Sequence, residues 1–102
     1  SNLYYHLYGY NNGSISAKAP LVIWLEGGPG STSSYGNYGM FGPFDVLGST
    51  NGTEVNFTLV PRNLTWNKFA HLLYIDQPIG TGFSNAFAND FVNTTDQAAV
   101  HF

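Results

Sequence analysis

PLVIWLEGGPGSTS, residues 20–33, decides how this sequence is read. Leu21-Val22-Ile23-Trp24-Leu25 is apolar at every position, the pattern of a strand covered on both faces in a helix-flanked sheet. Glu26-Gly27-Gly28-Pro29-Gly30 then stops it, because three glycines and a proline bar a continuing strand and permit backbone angles closed to other residues. Ser31 to Ser34 can cap a short helix beginning there. A glycine-rich turn after a buried strand leaves N–H groups uncrowded by Cβ atoms, and such donors can face an oxygen that turns negative during acyl transfer. The same residues equally suit a plain tight turn, so both readings stand at this point.

Downstream, His71 to Asp76 is a second apolar strand, ended by Gln77-Pro78, Gly80 and Gly82. The 45 residues between Leu25 and His71 are ample for a crossover, so the two buried strands are expected to run parallel in one sheet. Upstream, Leu3 to Tyr8 alternates and is rich in β-favouring aromatics, which predicts a strand. Asn12-Gly13 supplies a tight-turn pair, so this strand and residues 21–25 are expected to form an antiparallel pair. Gly39, Gly42, Pro43, Gly48 and Gly52 predict loop with one short strand over residues 55–60. Thr95 to Val100 begins like a helix, and the chain is expected to halt inside it.

Composition narrows the function classes. A chain of 102 residues forms one small domain at most, and 9% charged with 17% aromatic residues suits the interior of something larger. The chain therefore reads as a piece, residues 1–102, of a bigger domain. A net charge of −3, with Lys18, Arg62 and Lys68 as the strong bases, offers no basic stripe for phosphates, so no nucleic-acid partner is expected. No apolar run approaches the roughly 20 residues of a membrane span. Ser1 comes first with no charged-then-apolar leader, so a signal sequence is expected to have been removed or omitted. Asn12, Asn51, Asn56, Asn63 and Asn93 each precede Ser or Thr by two, with no intervening Pro, and are candidate N-glycan acceptors. Chance pairing of 11 Asn with 16 Ser or Thr gives about 1.7 such sites, so five point to the secretory route. The chain has no cysteine, which removes disulfides and thiolate metal sites.

With GMFGPF (residues 39–44) and LTWNKFAHLLYIDQPIGTGFS (residues 64–84), the opening block resembles the serine carboxypeptidase family in order and spacing. The family pattern runs approximately PLVxWLNGGPGCSS, ExGP, SWNxxxNxLYxDxPVGxGFSY. The resemblance implies a partial α/β-hydrolase fold, an incomplete domain holding the first strands of the mixed sheet, the oxyanion loop and the start of a helix. It implies that Gly28 supplies one oxyanion-hole N–H, that Glu26 and Gly27 hold the terminal carboxylate of a peptide, and that Tyr35 and Met40 face the pocket of the departing residue. Peptide or protein C-termini are the implied partners, no cofactor or metal is implied, and the secreted, lysosomal or vacuolar compartments are the implied destinations. The Ser-Asp-His triad is expected beyond Phe102, on the missing C-terminal part or on a second chain.

Three departures from the family pattern matter: Glu26 stands for Asn, Met40 for Glu and Ser31 for Cys. An ionised Glu26 repels a carboxylate and donates a hydrogen bond only when protonated, so peptide binding is expected to need acidic pH. Asp76 matches a structural turn, Ser84 a turn residue, and His6, His71 and His101 no catalytic group. The alternative is a non-catalytic, carboxypeptidase-like binding or assembly module.

Overall fold

The computed structural model describes residues 1–11 and 18–102, so Asn12 and the Asn12-Gly13 turn lie outside the described residues. The elements are β1 (Tyr5–Tyr8), β2 (Leu21–Leu25), α1 (Ser34–Gly36) running into a π-helical turn (Asn37–Phe41), β3 (Phe44–Asn51), β4 (Glu54–Pro61), a 3-10 turn (Trp66–Lys68), β5 (His71–Ile75) and α2 (Thr95–His101). The architecture is mixed α/β, a slab only 19 Å deep along its shortest axis.

β5 lies at the centre of a three-stranded sheet in the order β1-β5-β2. It runs parallel to β2, with Leu21 opposite His71 and Leu25 opposite Ile75, as the crossover length predicts. The expected antiparallel pairing of β1 with residues 21–25 is corrected: β1 pairs antiparallel with β5, Tyr5 opposite Ile75 and Tyr8 opposite Leu72. The reason is hydrophobic. Leu72 is 1% exposed and Tyr74 3%, and a strand this apolar is best placed with a neighbour on each edge.

The two sheet faces differ. Ala70, Leu72 and Tyr74 form the core with Tyr8, Val22 and Trp24 packed on them. Trp24, Phe41 and Trp66 cluster together, with the Phe41 and Trp66 rings nearly parallel and their centroids 4.1 Å apart, and Trp24 meeting both at steep angles. The opposite face presents Tyr5, Leu7, Leu21, Ile23 and Leu25, all exposed. Coverage of β2 on both faces is thus corrected to coverage on one face among the described residues.

Residues 44–61 form an antiparallel hairpin of eight residue pairs, not a loop with one short strand. Its two-residue turn is Gly52-Thr53, with Gly52 at φ +63°, the first-position glycine such a turn requires. Arg62 anchors its base by donating to Asp45 and to the carbonyls of Tyr38, at 2.8 Å, and Gly42, at 3.2 Å. At α2 the Thr94 hydroxyl accepts from the Gln97 N–H at 3.2 Å, a side-chain cap.

Burial pushes the Tyr74 phenol up to about 12, the nearby Tyr8 phenol adding to the effect and the Arg62 charge partly offsetting it. Burial, then the hydrogen bond with Tyr8, raises Tyr38 in the same direction. The unfolded phenol titrates near pH 10, so the stability owed to the neutral folded form is complete below about pH 10 and is lost as pH rises toward the folded value. Alkaline unfolding is therefore expected to begin just above that point, and Tyr74→Phe to move it to higher pH. Circular dichroism against pH checks this; an unmoved transition in the variant contradicts it.

Candidate active-site loop

β2 ends at Leu25 and its chain turns at once. Gly28 has φ +128° and Gly30 φ +106°, both in the region open to glycine, and the Gly28-Pro29 peptide bond is cis. The turn closes with the Ser31 N–H donating to the Gly27 carbonyl at 3.3 Å. Gly27 and Gly28 are exposed, and the Gly28 N–H has no hydrogen-bond partner among the described residues. A Cβ at Gly28 would meet the amide nitrogens of Gly30 and Ser31 at 3.3 Å each, so a side chain there disturbs the loop as well as its own backbone angle.

Glu26 is fixed from both ends. Its N–H donates to Ser33 Oγ at 3.1 Å, and its Oε2 accepts from the Trp24 indole N–H at 3.0 Å. Gly36 makes room for this, since a Cβ there would overlap the Trp24 ring. Ser33 does not cap α1 with its side chain; its hydroxyl instead donates to the Ile75 carbonyl at 2.5 Å. The serine expected to start a helix thus binds the ends of the two parallel strands together.

Asp76, 2% exposed, is the other clasp. Oδ1 accepts from the Ser33 N–H at 2.7 Å and from Thr32 Oγ1 at 2.8 Å, while Oδ2 accepts from the Phe83 N–H at 2.9 Å. One carboxylate therefore joins the turn after β2 to the turn after β5. Ser84 is equally occupied: Oγ donates to the Asp76 carbonyl at 2.6 Å and accepts from the Tyr4 N–H at 2.8 Å. Both side chains are structural in this arrangement.

The structure brings together Glu26 and Tyr35, which with Ser31 and Thr32 line a shallow cavity of about 230 Å³. Met40 lies outside that lining, exposed on the π-helical turn. A second cavity, about 350 Å³, opens beside Leu25, Glu26 and Pro29 and is closed by Gln77, Pro78 and the approach to α2. Sequence reasoning missed this one, because the placement of α2 depends on contacts such as Gln77 Nε2 donating to the Ala98 carbonyl at 2.7 Å. The histidines stand apart. His71 begins β5, at the opposite strand end from the Gly28 turn; the His6 ring meets the Tyr4 hydroxyl at 2.8 Å; His101 lies in the last turn of α2. Among the described residues no group of three or more His, Asp or Glu could hold a metal ion, and no helix is long and apolar enough to cross a membrane.

A family profile described as serine carboxypeptidase matches residues 1–102. The chain is 39% identical over 93 residues to a pheromone-processing carboxypeptidase kex1 of Aspergillus clavatus, covering 91% of this chain and 14% of that protein. It is 44% identical over 84 residues to the retinoid-inducible serine carboxypeptidase of Mus musculus, covering 81% of this chain and 15% of that protein. The crystal structure of the prohormone-processing carboxypeptidase Kex1 of Saccharomyces cerevisiae superposes with a TM-score of 0.64 at 37% identity, covering 88% of this chain and 18% of that one. The chain thus spans about a seventh of the length of the curated relatives it matches.

Proposed function

This chain belongs to the serine carboxypeptidase family, and from that premise we propose that it is the oxyanion-loop segment of a serine-type carboxypeptidase that hydrolyses the last peptide bond of its substrate. In this reading β1, β5 and β2 are the first strands of an α/β-hydrolase sheet, whose sites gather at the C-terminal ends of parallel strands. The observation that carries it is Gly28, an exposed glycine at φ +128° with an unpartnered N–H, directly past the end of β2. That N–H is one donor to the tetrahedral oxyanion. The attacking serine, with its histidine and aspartate, comes from outside these residues, and so does the second donor, the N–H that follows the nucleophile. Gly27 and Glu26 face the substrate's terminal carboxylate, and Tyr35 borders the pocket of the departing residue. The protein travels the secretory route.

Grafting the chain in place of the matching segment of the S. cerevisiae carboxypeptidase tests the reading. Release of the C-terminal residue from a peptide is expected, and more of it after Glu26→Asn, because a carboxylate side chain opposes a carboxylate substrate. Gly28→Ala keeps the N–H but displaces it, and kcat is expected to fall about 10- to 100-fold. A folded graft that stays inactive, and remains so after Glu26→Asn and Met40→Glu, overturns the catalytic reading. Glu26 itself, a carboxylate where a carboxylate must bind, then favours a non-catalytic binding module.

A further inference from the structure

We infer that the polar face of the β3–β4 hairpin carries N-linked oligosaccharide, at Asn51 or Asn56. The register divides the hairpin into two unlike faces. Val46 faces Leu59, Gly48 faces Phe57 and Thr50 faces Val55 on one side. Asp45 with Val60, Leu47 with Thr58, Ser49 with Asn56 and Asn51 with Glu54 line the other. Two of the five Asn-x-Ser/Thr sequences, Asn51-Gly52-Thr53 and Asn56-Phe57-Thr58, therefore place their asparagines on the same, polar side, Asn51 opposite Glu54 and Asn56 opposite Ser49.

Each asparagine and its threonine is exposed, and neither asparagine side chain makes a hydrogen bond among the described residues. The other described sequences are worse placed. Thr65, which completes the Asn63 sequence, is 5% exposed, and its hydroxyl is spent donating to the Phe41 carbonyl at 2.9 Å. Asn93 lines the 350 Å³ cavity beside Glu26, where a sugar chain would fill the mouth of the proposed site. A glycan on the hairpin obstructs neither the sheet core nor the Gly28 turn.

In the transfer, the asparagine carboxamide nitrogen bonds to the anomeric carbon of an oligosaccharide carried on a polyprenyl pyrophosphate. The anomeric C–O bond breaks, the pyrophosphate leaves with its electron pair, and one amide proton passes to solvent. The inference rests on the secretory route proposed above and needs no catalytic activity.

Site mapping on the full chain as its own cells make it tests the inference. Enzymatic removal of N-glycans in heavy-oxygen water converts each formerly occupied asparagine to isotopically marked aspartate. Marked residue 51 or 56 is the expected result. In a eukaryotic secretory host, N51Q/N56Q and, independently, T53A/T58A are expected to lose at least one glycan's mass, the second pair doing so with both asparagines intact. Glycan at Asn12, Asn63 or Asn93 with 51 and 56 bare overturns the inference and leaves the secretory route standing; no glycan at any of the five overturns both.

Discussion

Asp76→Ala is expected to cost about 2–5 kcal/mol, because it strands the buried Ser33 N–H and removes the acceptor of two half-buried donors. The donors are the Ser33 and Phe83 amides and the Thr32 hydroxyl, and Asp76 is 2% exposed. Asp76→Asn is the milder test. It retains an oxygen for Ser33 and Thr32 but turns an NH₂ toward the Phe83 N–H, donor against donor, for a loss of about 1–3 kcal/mol. Urea unfolding of the grafted protein reads both, and equal midpoints for the parent and the two variants would contradict the clasp.

Gly82→Ala is expected to lose roughly 2–5 kcal/mol, part of it through the same carboxylate. Gly82 holds φ +55°, which an alanine adopts only at a cost of about 1–2 kcal/mol. Its new Cβ would overlap the Asp76 carboxylate and come within 2.8 Å of Thr32 Cβ, a packing conflict worth another 1–3 kcal/mol or so. The two substitutions should not add. With Asp76→Ala in place the oxygen that collides is gone, so the double variant is expected to fall short of the sum by about 1 kcal/mol or more. Strict additivity in a double-mutant cycle would mean that Gly82 is strained for its backbone alone.

Much of this arrangement is visible in the sequence where burial leaves a signature. Residues 21–25 and 71–75 are continuous apolar runs, and 45 residues between them are enough to make them parallel; both expectations hold. The order of the sheet is not visible, because Asn12-Gly13 signals a local turn whereas the position of β5 is set by contacts between residues far apart in the chain. Gly48 and Gly52 hide the hairpin, because glycines at that spacing equally mark a loop. Yet Asn51-Gly52 is itself a hairpin signal, and Val55, Phe57 and Leu59 alternate as a strand should. At the candidate site, the glycine turn after β2 is legible from composition. The clasp at Asp76 is only half legible: the resemblance implies a structural role in its turn, but its partners lie 43 and 44 residues away and no local pattern reports them.

The uncovered side of the three-stranded sheet bears on the life of the chain in a cell. Tyr5, Leu7, Leu21, Ile23 and Leu25 make a continuous oily surface of the kind that folding helpers grip and that sticks to copies of itself. In a longer chain this surface is where further elements of the domain gain the most by packing, since every apolar side chain on it is still open to water.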